Sequence, residues 1–163
     1  MATYIQIATA TGTGSSSSLT FSSIPATYTD LLVKFSLRSD TTGLTNFNIT
    51  VNSTNPTQRN LEGFSTSAPT SDTVTYNYAP ASGITASTYS NGELYIPSYL
   101  SSNSKSVSLD NTSENNATGS NRLELTAKLY SSATSAITTI SITDIYGNWT
   151  NLSTAYLYGI SKS

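Results

Sequence analysis

Asp30-Leu31-Leu32-Val33-Lys34-Phe35-Ser36-Leu37-Arg38 carries the rhythm that decides the fold. Leu31, Val33, Phe35 and Leu37 alternate with Lys34, Ser36 and Arg38. Residues i and i+2 share one face of a strand, so such a row predicts a strand with one dry face and one wet face. The same period recurs outward in both directions. Phe47, Ile49 and Val51 alternate with Asn46, Asn48, Thr50 and Asn52, and Val107 and Leu109 fall at the same spacing within residues 104–110. Leu123, Leu125, Ala127 and Leu129 alternate with Arg122, Glu124, Thr126 and Lys128. In each case the aliphatic row is expected to be buried and the polar row solvated. Glu93 and Glu124, beside core positions, are therefore expected to face water.

Further strands are predicted over residues 3–8, 19–24, 60–65, 73–79, 93–96, 137–145 and 154–160. A flexible hairpin loop, Gly12-Thr13-Gly14 plus a serine run, is expected between the first two. Pro25 and Pro97 interrupt pairing, and Asn91-Gly92 reads as a turn. Residues 67–71 are expected to form a loop, and residues 111–120, the longest polar stretch, an exposed one. About ten strands emerge, with no helical stripe and no fixed-length repeat. The expectation is an all-β protein: a two-sheet antiparallel sandwich, jelly-roll-like, with essentially no helix, forming a single domain over residues 1–163.

Composition supports folding over disorder. Ser, Thr and Asn make up roughly four residues in nine. Disordered chains pair such polarity with high charge and few aromatics, whereas this chain has 11 Tyr, 4 Phe and 1 Trp, 10% charged residues and a net charge of −2. Its seven basic residues are scattered, which argues against nucleic acid as a partner. No apolar run approaches the ~20 residues of a membrane span. The N-terminus lacks the basic and apolar regions of a secretory signal. Six Asn-x-Ser/Thr sequons occur in a chain this rich in those residues at about the frequency chance gives, so they argue nothing.

The chemistry is sparse. With no His and no Cys, histidine-based triads, thiolate or imidazole metal sites and disulfides are excluded. Asp72, Asp110 and Glu114 fall in predicted loops, but none shows the spaced acidic pattern of a calcium loop. A glycosidase would need two carboxylates across a cleft, and the acidic residues read instead as solubilising. The chain is expected to be no enzyme and to carry no cofactor. The candidate contact residues are aromatic. Tyr76 and Tyr78 share one predicted strand face, as do Tyr156 and Tyr158; Tyr95 projects opposite Leu94 and Ile96; Trp149 sits in a predicted turn. Tyrosine joins a large apolar body to a polar tip, so these rings fit three roles: capping the edge of the core, forming a subunit interface, or stacking on a glycan. Trp149 is expected to plug an open end of the sandwich.

Four stretches carry a resemblance: Tyr4-Ile5-Gln6-Ile7-Ala8-Thr9, Ser23-Ile24-Pro25-Ala26-Thr27-Tyr28-Thr29-Asp30-Leu31, Glu93-Leu94-Tyr95-Ile96-Pro97-Ser98-Tyr99 with Lys105-Ser106, and Tyr156-Leu157-Tyr158-Gly159-Ile160. In this order the chain resembles small jelly-roll virion proteins of tailed bacteriophages, a group of head decoration or cement proteins and of tail fibre or spike domains. The motifs mark strand edges and turns. Where that group often carries an Asn-Gly-Asp turn, this chain has Asn52-Ser53-Thr54-Asn55-Pro56. The resemblance implies a non-enzymatic capsid decoration protein that stabilises the particle through protein contacts, with the major capsid protein or another virion protein as partner. A homo-oligomer, in the first instance a trimer, is the expected form. Synthesis in the host cytoplasm followed by residence in the virion fits the missing signal. The alternative is a receptor- or glycan-binding module of a tail appendage. The early first strand, which leaves no room for an N-terminal attachment segment, favours decoration.

Overall fold

The computed structural model describes residues 3–64, 68–113 and 121–161. These residues form twelve strands and no helix: β1 (Thr3–Thr11), β2 (Ser18–Phe21), β3 (Asp30–Leu37), β4 (Leu44–Val51), β5 (Thr57–Phe64), β6 (Thr70–Asp72), β7 (Asn77–Pro80), β8 (Ser90–Ile96), β9 (Lys105–Ser113), β10 (Arg122–Tyr130), β11 (Ile140–Asp144) and β12 (Thr154–Ser161). They build an antiparallel sandwich, jelly-roll-like, with two sheets of unequal width. The large sheet has the order β1-β12-β3-β8-β9-β10-β5-β6 and the small one β2-β11-β4-β7.

The deciding stretch sits at the centre of the dry region. Leu31, Val33, Phe35 and Leu37 of β3 are all buried, facing Phe47, Ile49 and Val51 of β4 across the sandwich. Phe47 meets Phe35 edge-on at 5.7 Å and Trp149 at 6.1 Å, geometries that favour aromatic pairs beyond their area. Trp149 is fully buried, and its indole N–H donates to the Ile142 carbonyl at 3.1 Å. Its ring packs within the core, so Trp149 offers no surface to a subunit or a glycan.

Turns account for several differences from the sequence reading. Asn91-Gly92 makes no turn but lies within β8, where Gly92 pairs with Phe35. A Cβ at Gly92 would come within 2.1 Å of the Phe35 ring, so the missing side chain makes room for an aromatic ring. The loop after β1 does not close a hairpin. β1 and β2 belong to different sheets, and the Gly12 and Gly14 amides donate to the Ser153 and Trp149 carbonyls at 2.8 and 2.9 Å. Of the strand predicted over residues 73–79 only residues 77–79 pair, as the start of β7, and Thr70 and Ser71 belong to β6 instead of a loop. The predicted loop 111–120 begins inside β9; residues 114–120, with Glu114, lie outside the described residues, as does Ser67. Asp72 and Asp110 are likewise on strands. The strand predicted over residues 137–145 is limited to β11. At Asn52 and Ser53 φ is 46° and 61°, the left-handed pair of a tight reversal closed by Val51 and Thr54.

The largest difference is in β10. Leu123, Leu125 and Leu129, predicted to be dry, are 51%, 44% and 43% exposed, while Glu124, Thr126 and Lys128 are buried. The strand is where the period predicts, with its faces exchanged. The inward neighbours explain the exchange. Gln58, Asn60 and Glu62 of β5 and Asn111 of β9 are also buried, so the polar row of β10 packs among polar rows.

Candidate functional site

Two features of the β9-β10-β5 region stand out, one on each side of the large sheet. On the inner side a polar cluster replaces the hydrocarbon core. β7 is the edge of the small sheet, and among the described residues its side away from β4 has no strand partner. Unpaired backbone groups inside a protein are costly, and side chains from the large sheet serve as the missing neighbour. The Glu124 carboxylate accepts the Tyr78 amide at 3.1 Å, and the Asn111 side-chain amide donates to the Tyr78 carbonyl at 2.8 Å. Asn111 also donates to Glu124 at 2.6 Å. Gln58 donates to the Tyr76 carbonyl at 2.9 Å.

Asn77, the first residue of β7, lies at the centre. Its Nδ2 donates to Glu124 Oε1 at 3.2 Å and to Thr126 Oγ1 at 3.0 Å, and its Oδ1 accepts from Lys128 Nζ at 2.7 Å. Lys128 Nζ also donates to Gln58 Oε1. Burial raises the Glu124 carboxyl above its ordinary range, opposed by the hydrogen bonds from Asn111, Tyr78 and Asn77 and by the charge of Arg122. Burial depresses the Lys128 amine to about 7, opposed by the negative charge of Glu124. At the open end of the cluster Arg122 pairs with Glu62 and lays its guanidinium over Tyr78 at 3.7 Å and Phe64 at 4.3 Å. Burial lowers the Arg122 pKa.

On the outer side, Leu123, Leu125, Ala127 and Leu129 run along β10, with Leu61 of β5 opposite Leu125. Leu61 is 49% exposed. Arg59, Leu61, Tyr95, Asp110, Leu125 and Ala127 line a shallow open depression on this face. Beyond β9, whose outward Ser106, Ser108, Asp110 and Thr112 are exposed, the same face becomes aromatic. There Tyr95, Tyr156 and Tyr158 share the surface with Tyr4, around the Lys34–Glu93 ion pair at 2.9 Å. Glu93 is exposed, as its position in the sequence predicts.

The structure therefore brings Tyr95, Tyr156 and Tyr158 onto one face. Tyr95 is anchored by its hydroxyl, which donates to Asp30 at 2.9 Å. Tyr76 and Tyr78 lie elsewhere, Tyr78 within β7 and Tyr76 just before it, with their rings edge-on at 5.5 Å. Trp149 is interior. The exposed leucines and the Lys128–Asn77–Glu124 cluster were missed by sequence reasoning, because a charged row was assumed to be wet. One signal was present: β5 offers no aliphatic row, its two faces being Gln58, Asn60, Glu62 and Thr57, Arg59, Leu61. A strand without an aliphatic row does not adjoin a hydrocarbon core.

Among the described residues no group of three or more acidic, His or Cys side chains is placed to hold a metal, and no helix is long and apolar enough to cross a membrane. In comparison with known proteins, no family model, curated protein or solved structure matches the chain.

Proposed function

We propose that this protein is a non-enzymatic structural component of a bacteriophage virion, a capsid decoration or cement protein that binds the particle through the outer face of its large sheet. The observation that carries a binding role is the leucine row of β10 with Leu61, apolar side chains left in water on a regular sheet face. Tyrosines continue the same face, and Tyr is a residue type enriched in protein interfaces. The net charge of −2 suits contacts made by shape and apolar area. The virion setting rests on the sequence resemblance, with the major capsid protein as the partner it implies and a homo-oligomer as the expected form.

The test is where the protein sits on intact particles, seen by imaging or antibody labelling, together with the heat tolerance of particles lacking it. A capsid location and earlier heat release of the genome without the protein are expected; unchanged particle tolerance would reject the reading. Leu61→Asp with Leu125→Asp is expected to abolish binding to stripped particles while leaving the circular dichroism spectrum unchanged.

A glycan-binding module of a tail appendage is the second reading. It is favoured by Tyr95, Tyr156 and Tyr158 lying together on one exposed face, since sugar rings stack on such aromatics. Tail labelling, with glycan-array binding lost in Tyr156→Ala, would select it over the first.

A further inference from the structure

We propose that the side chains of Lys128 and Asn77 join in an intramolecular amide bond, formed without any cofactor, that ties β10 of the large sheet to β7 of the small one. The proposal is independent of the virion reading and rests on the buried cluster alone. Lys128 Nζ lies 2.7 Å from Asn77 Oδ1, one bond from the carboxamide carbon. Glu124 Oε1 lies 3.2 Å from Asn77 Nδ2, the nitrogen that would leave. Lys128, Asn77 and Glu124 are 1%, 0% and 0% exposed. The carboxamide is thus within hydrogen-bond reach of both the amine and the proton carrier, and all three are held in one place and sheltered from water, the conditions under which an intramolecular attack gains most.

The protonation states also suit the reaction. An ammonium cannot attack, but burial leaves the Lys128 amine substantially neutral near pH 7. The raised pKa of Glu124 fits it to take up and return a proton. The Nζ lone pair forms a bond to Asn77 Cγ, and the carbonyl π electrons move to Oδ1. One proton passes from Nζ to Nδ2, with Glu124 as its carrier at the leaving nitrogen. The carbonyl re-forms as the Cγ–Nδ2 bond breaks, and ammonia departs. Amine plus primary amide becomes secondary amide plus ammonia, with Glu124 restored and no oxidant or reductant required. Gln58 also touches the lysine amine, but its own Nε2 faces Asn60 Oδ1 and the Tyr76 carbonyl, neither of which carries a proton to deliver. Of the two amides that touch the lysine amine, only Asn77 has an acid at its leaving nitrogen. In a chain without cysteine, such a bond would do for the two sheets what a disulfide does elsewhere.

The test is the intact mass of the purified full-length chain after folded incubation at pH 8, followed by peptide mapping. The expected mass is that of the sequence less one ammonia, with a branched species joining the peptide that holds Asn77 to the one that holds Lys128 and no tryptic cleavage after Lys128. Lys128→Met and Asn77→Ala should restore the full mass, and Glu124→Gln should slow the loss at least tenfold. A natural chain that keeps its full mass overturns the proposal, whatever the variants do. So does a loss of ammonia confined to one linear peptide, such as succinimide at Asn91-Gly92, or a branch at Gln58.

Discussion

The sandwich has two interiors. Beneath β12, β3 and β8 the inward rows are largely aliphatic or aromatic, with Ser90, Gly92 and Gly159 among them, and the outward rows largely polar or tyrosyl, the arrangement any amphipathic strand predicts. Beneath β10 and β5 the inward rows are Glu124, Thr126, Lys128 and Gln58, Asn60, Glu62, while leucines face out. The difference teaches that the inward face of a strand is chosen by what lies opposite it. The centre of the small sheet presents Phe47, Ile49 and Val51, and hydrocarbon packs against them. Its edge strand β7 presents unpaired amides and carbonyls, and only polar side chains satisfy those. Tyr130 lies at the border: its ring is buried on β10, one position beyond Lys128 on the inward row, and its hydroxyl donates to the Ile49 carbonyl at 2.7 Å.

The contrast is sharpest under mutation. Phe47→Ala empties a fully buried site ringed by Phe35 and Trp149, and about 3–5 kcal/mol of unfolding free energy is expected to be lost in urea titrations. A loss under about 1 kcal/mol would mean that the dry half is not the stabilising one. In the polar half, Glu124→Ala strips the acceptor from the Tyr78 amide and from Asn77 and Asn111. Orphaning those donors is expected to cost about 3 kcal/mol; an unchanged melting temperature would show that water substitutes freely.

The third expectation separates the halves by pH, since Lys128 and Glu124, buried with displaced pKa values, both belong to the polar half. Where the Lys128 amine is free, burial holds its pKa at about 7 folded against 10.5 in the open chain, and Asn77→Ala keeps it free. Between those values the unfolded state holds more protons, so stability rises with pH, by about 2 kcal/mol from pH 7 to pH 9. Glu124 acts in the opposite sense. Its folded pKa is raised, so stability falls as pH climbs from 4.5 through the folded value. A further Lys128→Met exchange should flatten the alkaline rise, and thermal melts across the range decide the point. The smallest effect belongs outside. Leu125→Ser should alter unfolding free energy by no more than about 0.5 kcal/mol, since the side chain is already wet. It should nonetheless weaken self-association or particle binding in sedimentation measurements.

Much of the fold is visible in the residues. β3 and β4 are legible because their aliphatic rows lie opposite one another, so local period and tertiary demand agree. Trp149 is legible for a similar reason: a lone large indole in a neutral chain has more to gain by burial than by exposure. Tyr95 is legible as projecting opposite Leu94 and Ile96, and Tyr156 and Tyr158 as sharing a strand face; their gathering on one face of the sheet follows from strand order, which no local pattern encodes. β10 is misread because alternation is symmetric. A row of leucines and a row of Glu, Thr and Lys announce a strand equally well whichever one is buried.

The order of residues alone therefore determined that strands form, where most of them run, and that His- and Cys-based chemistry is absent, because a two-residue period and a composition are local properties. Tertiary structure alone decided which row of β10 enters the interior and which side chains meet there. The reason is that β7 ends its sheet with unpaired backbone groups, and the charges and amides of Glu124, Asn111 and Gln58 are the partners within reach.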